Sequence, residues 1–442
     1  MNSVSIKILA VAAVAVIAVA AICVFVLTQD NNKEKMTMNA SLAVCGNADG
    51  DYVIDGEDKV IIQHIIDKDD GYTLAKYPLA DADMNGTVDQ ADLDLVNKIL
   101  SEEPCTIYHG VDDGEHGWAF VDTKWPINRA ATSGNLQTLM LEKMAGIIER
   151  HIYGVSYSEE YGIDAYLYPT LQQYLGHSLG PSQKAYDTDL LSQCKTDTGI
   201  TALIVGSVPK NAAAIEDMGI DLIRLESTTA DLDRYISQIL LLGFLFREST
   251  QAIEIGKWSE NLYAEMQSKL STLKQDQLVT AVLNVGQTGT LTYKGSNYVS
   301  VLLQAGALYP DVLDVSSSPA IGDWIYTMDF DMIMCMRNST PDHSWYGGTP
   351  DYERYFEAVY NTLGLTEPYL NGQVYAIGLD MPLPIRIAYF SQALYPDLYG
   401  EGWADQKHQE FIDKFFEEDF DTSTLDFLLE YKDYKDKLTF ES

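Results

Sequence analysis

Two short acidic segments share one pattern, which constrains the local fold more tightly than any other feature of the chain. The first segment covers residues 47–58 and the second covers residues 81–92, so the pattern repeats after 34 residues. Oxygen-bearing side chains occupy positions 1, 3, 5, 9 and 12 of each twelve-residue segment. This spacing wraps a chain around a hard cation that needs about six to eight oxygen ligands.

The repeat therefore defines two sets of candidate calcium ligands, in which position 7 contributes its backbone carbonyl. The first set is Asn47, Asp49, Asp51, Val53, Asp55 and Asp58, and the second set is Asp81, Asp83, Asn85, Thr87, Asp89 and Asp92. Apolar residues at position 8, Ile54 and Val88, predict that the two loops pair back to back. A helical apolar pattern follows each loop. Two calcium ions are the expected cofactors.

Residues 45–105, with one helix after each loop and aspartate at both last ligand positions, resemble the dockerin type I module. The resemblance implies a small all-α calcium module and a cohesin-like protein as its partner. A calcium-stabilised spacer and a pair of merely solvated acidic loops are the alternative interpretations. Tyr52 stands at position 6, where the family usually has glycine for a sharp turn, so the first site is expected to be strained or weaker.

The cysteines add one structural prediction. Cys45 and Cys105 flank the module, and in an oxidising exterior their thiols are expected to form a disulfide that clamps its ends. Unchanged mass after alkylation without reductant supports this bridge, whereas two alkylated thiols exclude it. Cys194 and Cys335 belong to different predicted lobes, so both are expected to be free and buried.

The N-terminus predicts the compartment. Residues 8–27 are twenty consecutive apolar positions, and a helix of that length spans the roughly 30 Å hydrocarbon core. We predict an uncleaved membrane anchor over residues 1–30 and a polar linker over residues 31–44. Signal-peptide cleavage near Ala18 and lipidation of Cys23 remain open. Lys7 on the short side places the bulk of a single-pass protein on the extracytoplasmic face of the cell membrane.

The charge balance excludes some classes of partner. Aspartate and glutamate total 65 against 29 lysines and arginines, which gives a net charge of -36. A surface this acidic repels phosphate backbones and anionic lipid head groups. Nucleic-acid binding and electrostatic membrane binding are therefore disfavoured.

Residues 106–442 alternate apolar strand-like runs with helical patterns, which predicts an α/β fold. Examples of the strands are residues 202–205, 222–225, 279–285 and 332–335. Helical spacing continues from residue 229 to residue 273, with a bend expected near Gly256. We therefore predict an N-terminal lobe over residues 106–228, one long connecting helix over residues 229–273, and a C-terminal lobe over residues 274–442.

The order of several short motifs in this region resembles the metal-chelate class of substrate-binding proteins of ABC transporters. These motifs lie at residues 125–129, 198–205, 218–223, 241–243, 329–333 and 371–375. The resemblance implies two Rossmann-like lobes joined by one long helix, a siderophore, haem or corrinoid held between them, and an ABC permease as partner. It implies a binding protein and not an enzyme. The alternative is a surface adhesion or complex-assembly protein that uses its dockerin-like module and no longer transports.

Candidate ligand contacts lie in loops at the facing ends of the predicted strands. Aromatic side chains offer flat faces to a macrocycle or catecholate, arginines pair with carboxylates, and a histidine can reach a metal. For each aromatic residue, packing in the core is an equally good interpretation. The candidates are Trp324, Tyr326, Arg337, His343, Trp345, Tyr346 and Arg386.

One motif suggests an enzyme instead. Residues 176–180 match the G-x-S-x-G elbow of α/β-hydrolases, with Ser178 as the nucleophile. The segment before this motif has a helical pattern, whereas the elbow follows a buried strand. A serine hydrolase therefore remains only a remote alternative.

Overall fold

The structure is a computed structural model that describes residues 39–112, 118–157, 163–177, 179–180, 185–225, 231–285, 291–320, 322–340 and 342–440. The predicted anchor and Ser178 lie outside these residues. Within the described ranges, no helix combines the length and apolar character needed to cross a bilayer. Tethering through residues 1–30 therefore stays a prediction.

The described elements alternate between helices and strands along most of the chain. The α-helices are α1 (Gly56–Asp67), α2 (Gln90–Leu100), α3 (Leu136–Met144), α4 (Ile148–His151), α5 (Thr188–Thr198), α6 (Ala212–Asp217), α7 (Leu232–Phe246), α8 (Ser249–Leu270), α9 (Asn297–Gln304), α10 (Tyr352–Leu363), α11 (Glu367–Leu370), α12 (Leu383–Leu394), α13 (Pro396–Tyr399), α14 (Trp403–Phe415) and α15 (Tyr431–Tyr434). The strands are β1 (Cys105–Asp112), β2 (Trp118–Trp125), β3 (Ala130–Thr132), β4 (Ile152–Val155), β5 (Ala202–Val205), β6 (Asp221–Arg224), β7 (Ala281–Val285), β8 (Met332–Arg337), β9 (Val374–Gly378) and β10 (Leu428–Glu430).

Two separate sheets form the two lobes, which confirms the predicted α/β class. The first lobe has the parallel order β4-β3-β5-β6, and the second has the order β10-β9-β8-β7, in which only β10 is antiparallel. Strands β5 and β8 are buried along their whole length because helices cover both faces of a parallel sheet. One apolar core continues across both lobes and includes Ile204 of β5 and Met334 of β8.

The connector differs from the prediction of a single helix over residues 229–273. Helix α7 ends at Phe246, because Arg247 adopts the left-handed conformation at φ 63° and its N–H donates to the carbonyls of Gly243 and Phe244. Helix α8 then folds back along α7, and Gly256, where a bend is expected, lies within the uninterrupted helix α8. The 22 residues of α8 span about 33 Å and pack against α3 of the first lobe and α12 of the second. Helix α7 contacts the same two helices, so the connector is a hairpin of α7 and the longer α8, and we term α8 the connector helix.

The helix reversal depends on Gly243. A Cβ at this position would lie 2.5 Å from the Cβ of Ala252 and 3.2 Å from the carbonyl oxygen of Glu248. We expect Gly243→Ala to lower the free energy of unfolding by about 2 kcal/mol in urea titrations, despite the better helix propensity of alanine. Gly56→Ala is the control, because a Cβ on Gly56 meets nothing within 4 Å. Equal stability of the Gly243 variant and the wild type would contradict the close approach.

The segment before the module is packed and does not behave as a linker. Ala40, Leu42 and Val44 are buried in the common core, and Val44 forms an antiparallel bridge with His109 of β1. The predicted linker over residues 31–44 therefore ends before residue 40. Apolar side chains at alternating positions explain the difference, because they give this segment a face to bury.

The predicted disulfide is not formed, which corrects that prediction. The N–H of Cys45 donates to the carbonyl of Tyr108, which is three residues along β1 from Cys105. Both thiols are free, and burial raises the pKa of each. Cys194 and Cys335 are also free, as predicted, although only Cys335 is fully buried.

Candidate functional site

The first acidic loop closes on the start of α1. The Asp58 carboxylate is 1% exposed and accepts a hydrogen bond from the N–H of Asp55 at 2.7 Å. Asn47 is fully buried, and its side-chain nitrogen donates to the carbonyls of Leu42 and Asp51. These two acceptors fix the orientation of the amide, so the unpartnered atom is its oxygen. A cation at ligand position 1 would satisfy that oxygen.

The second acidic loop repeats this arrangement at the start of α2. The Asp92 carboxylate accepts hydrogen bonds from the N–H groups of Asp83 and Asp89, at 3.2 and 2.8 Å. One carboxylate oxygen from each of Asp81, Asp83 and Asp92 lies within 4.8 Å of the other two. Burial, together with the charges of Asp92 and Asp83, raises the pKa of Asp81 to about 6. An all-oxygen, strongly acidic set of this kind fits calcium, which would supply the missing positive charge.

The strain expected at position 6 of the first loop is absent. Tyr52 lies outside the left-handed region, whereas Gly86 at the same position of the second loop has φ 94°. Both loops have a left-handed residue at position 4, Gly50 with φ 73° and Met84 with φ 54°, and the first loop needs no second one at position 6. Weaker binding at the first site stays a prediction, but backbone strain at Tyr52 is not its cause.

The two lobes meet through polar side chains at the carboxyl ends of the strands, which we term the lobe interface. Asp164, in the loop after β4, accepts a hydrogen bond from the hydroxyl of Ser344 in the second lobe at 2.5 Å. Its other oxygen accepts from the N–H groups of Tyr166 and Leu167. Open α/β sheets bind their ligands at this edge, so the lobe interface is the candidate binding site.

Asp380 and Arg386 are buried at this interface without complete hydrogen bonding. Asp380 follows β9 by two residues and is fully buried, and neither carboxylate oxygen has a partner in good geometry, although Ser339 lies beside it. Burial, and next the charge of Asp164, raise the pKa of Asp380 to about 7. Burial lowers the pKa of Arg386, whose Nε is unpartnered. Unsatisfied buried groups at a strand edge are candidates for ligand contacts.

Glu142, on the first lobe, is a third buried acid besides Asp164 and Asp380. One oxygen of its carboxylate accepts a hydrogen bond from the hydroxyl of Thr132 at 2.6 Å, and the other oxygen is unpartnered. Burial raises the pKa of Glu142 to about 8. The side chain is therefore mostly neutral near pH 7 and charged only above about pH 8.

The raised pKa of Glu142 makes a pH-dependent contribution to stability. The folded state binds the proton more tightly than the unfolded state, so this contribution is complete at low pH and is lost as the pH rises through about 8. We expect Glu142→Gln, which still accepts from Thr132, to gain roughly 3–4 kcal/mol over the wild type at pH 8.5 relative to pH 5. Urea unfolding of both proteins at the two pH values measures this difference. A constant difference across the pH range would contradict the prediction.

Three of the predicted ligand contacts have packing roles in the second lobe. The guanidinium of Arg337 donates to the backbone and side-chain oxygens of Asn284. Trp345 is fully buried and stacks on Tyr355 with ring centroids 5.6 Å apart, while Tyr346 is buried within an aromatic cluster. These placements favour the packing interpretation for Arg337 and Tyr346, whereas Trp345 keeps a buried indole Nε1 without a partner.

The other predicted contacts divide between surface and interface. Trp324 is half-buried, Tyr326 is 51% exposed, and the ring of His343 is 43% exposed. Arg386 lies with the unpartnered groups of the lobe interface, and so does Trp345, whose buried indole Nε1 has no hydrogen-bond partner. Sequence reasoning missed Asp380, although its position just after an apolar strand was a usable signal.

The motif around Ser178 does not have the context of a hydrolase elbow. The residues before it form a 3₁₀ helix, Pro169–His177, whereas the elbow follows a strand. This placement agrees with the helical pattern of the sequence and argues against the hydrolase alternative.

The fold is similar to that of periplasmic binding proteins of known structure. The TroA-like periplasmic binding protein FepB from Veillonella parvula matches with a TM-score of 0.52 and 16% identity, over 70% of this chain and 97% of that chain. The molybdate-binding protein MolA from Haemophilus influenzae matches with a TM-score of 0.53 and 16% identity, over 70% and 98%. A periplasmic solute-binding protein from Veillonella parvula matches with a TM-score of 0.51 and 17% identity, over 74% and 98%. At these identities the likeness establishes the fold.

No family model matches the sequence, and no curated protein sequence matches it. The dockerin-like character of residues 45–105 therefore stays a prediction from the spacing of the loops in the sequence.

Proposed function

We propose that this chain is the solute-binding component of an ABC importer and that it holds a metal-containing ligand at the lobe interface. The observation that carries the proposal is Asp380, a fully buried carboxylate at the strand edge where this fold places ligands, which has Ser339 beside it but no hydrogen-bond partner in good geometry. Leaving such a group unsatisfied costs about 1–3 kcal/mol or more, and a bound ligand offsets that cost. The similar fold of MolA, crystallised with molybdate, agrees with this class of ligand.

The proposed ligand is a metal chelate of the siderophore, haem or corrinoid type, delivered to an ABC permease. Arg386 would pair with an acidic group of the chelate, and Asp380 would accept hydrogen bonds from its hydroxyl or amide groups. The protein is proposed to lie outside the cytoplasm, tethered by residues 1–30. Capture and release require binding and no chemical step, so the proposal includes no catalysis.

We also propose that the paired loops hold two calcium ions as structural cofactors. The unpartnered oxygen of Asn47 in the first loop and the converging carboxylates of Asp81, Asp83 and Asp92 in the second support this assignment. Calcium would neutralise part of the local negative charge. A cohesin-like partner would have to bind the exposed side of the module, where Val60 is 55% exposed and Leu100 is 40% exposed.

Native mass spectrometry and metal analysis of the full chain from its natural source test the ligand proposal. We expect one small molecule with a bound metal per chain, and we expect Asp380→Asn to weaken its binding by roughly 10-fold or more. The control is Arg354→Met, on the exposed surface of α10. If haem, cobalamin and ferric siderophores all fail to bind and none co-purifies, the adhesion or assembly role becomes the better explanation.

A further inference from the structure

The paired-loop module (residues 45–105) docks on the connector helix through Tyr52. The hydroxyl of Tyr52 donates a 2.6 Å hydrogen bond to Oε1 of Glu260, which lies on α8. The ring of Tyr52 covers Gly256, where an added Cβ would lie 2.7 Å from Cε2 of the ring. The absence of a side chain at Gly256 therefore leaves room for this ring. Tyr52, which stands where the loop pattern usually has glycine, is thus the residue that contacts the connector helix.

Further contacts fix the segment before the module to the other helix of the hairpin. The N–H of Asn39 donates to Asp233 at 3.0 Å, and the N–H of Ser41 donates to the hydroxyl of Ser237 at 3.1 Å, both on α7. Leu42 is 1% exposed in the core that the module shares with the lobes. The module and the segment before it thus pack against both α7 and α8, and the module is not a separate domain joined by a flexible linker.

The same loop residues that would bind the cation also set the position of Tyr52. Tyr52 lies between Asp51 and Val53, which are ligand positions 5 and 7, and Oδ1 of Asp51 accepts from the N–H of Val53 at 2.7 Å. The carbonyl of Asp51 accepts from the side chain of Asn47 and from the N–H of Leu42. Ordering the loop around a cation therefore orders the backbone that carries the tyrosine.

We propose that calcium in the first loop is coupled through Tyr52 to the connector helix, so that the cation stabilises the junction between the two lobes. This inference rests on the proposed calcium binding. Coupling between two sites is reciprocal, so docking of Tyr52 on α8 must also strengthen calcium binding by the same factor. The calcium-bound module then stabilises the connector helix of the solute-binding fold.

Hydrogen–deuterium exchange of the full chain in detergent, with calcium or with magnesium as the comparison cation, tests the coupling. We expect calcium to slow exchange both in residues 47–58 and in residues 249–262. Tyr52→Ala should keep the protection in the loop, lose it in α8, and bind calcium roughly 5-fold more weakly. Tyr52→Phe, which keeps the ring but not the bond to Glu260, should lose part of both effects.

Tyr72→Ala is the matched control, because Tyr72 belongs to the module but stacks on His64 and Tyr77. This variant should keep the calcium-dependent protection of α8. Protection of α8 that survives in Tyr52→Ala, or wild-type protection confined to the loops, would overturn the coupling. If calcium protects neither loop in the wild type, the proposed calcium binding fails as well, and the two failures are thereby distinguished.

Discussion

Calcium is expected to raise the thermal unfolding temperature of the full chain by roughly 5–10 °C. Without a cation, the carboxylates of Asp81, Asp83 and Asp92 converge within 4.8 Å and repel one another, and the buried oxygen of Asn47 has no partner. A cation at about 100 times its dissociation constant adds about 2.7 kcal/mol of stability per site. Two such sites in a chain of this size account for the expected shift. Scanning calorimetry with and without calcium measures it.

Two variants distinguish the stability that the bound cation contributes from the stability that the helix caps contribute. Asp58 and Asp92 each stand third in a helix and complete a capping box, so Asp92→Ala is expected to cost about 1 kcal/mol even without calcium. Asp81→Asn leaves that cap intact and should still remove about half of the calcium-dependent increase in unfolding temperature. Asp94→Asn is the control, because Asp94 is exposed and accepts a hydrogen bond from Gln90 outside the loop positions. An unchanged calcium increment in Asp81→Asn would contradict metal binding in the second loop.

The strands and the acidic loops could be predicted because their signals are local. Strand β5 is a four-residue apolar run, since a parallel sheet with both faces covered needs apolar residues at every position. The loop ligands follow one another at fixed offsets within twelve residues, so their spacing is visible without any tertiary information. The helices α1 and α2 begin directly after Asp55 and Asp89, the position 9 ligands that this spacing identified, and these aspartates cap them.

The helix reversal and the lobe interface could not be predicted, since both depend on contacts between distant parts of the chain. Apolar positions at helical spacing continue through Arg247, and the close packing of Gly243 on Ala252 exists only after α8 has folded back. Asp164 and Asp380 are brought together by two different lobes. Tyr346 is a candidate ligand contact by sequence, with core packing as an equally good interpretation, and only the tertiary structure shows that Phe427 from the end of the chain packs against it.

Lys143 links the two lobes by an ion pair in which the lysine is buried and the carboxylate of Glu418 is 17% exposed, and this pair is the basis of the second large expected effect. Its side chain is 3% exposed in α3 of the first lobe, and its ammonium lies 2.7 Å from Oε2 of Glu418, which follows α14 of the second lobe. The ammonium is also 3.7 Å from Glu149 and 5.0 Å from the ring centroid of Phe416. Removing one member of a buried ion pair leaves the other charge uncompensated.

We therefore expect Lys143→Met to lower the free energy of unfolding by about 2–4 kcal/mol, less than for a fully buried ion pair because water still reaches the carboxylate of Glu418. In a double-mutant cycle, Glu418→Gln should recover part of this loss, because it removes the carboxylate that the first change leaves without its partner. Lys414→Met is the control, since Lys414 pairs with Glu410 on the exposed face of α14 and is expected to cost no more than about 0.5 kcal/mol. Urea unfolding of the four proteins gives the coupling energy directly. A loss below about 1 kcal/mol for Lys143→Met, or a coupling energy near zero with Glu418, would show that the apolar core holds the lobes together without this pair.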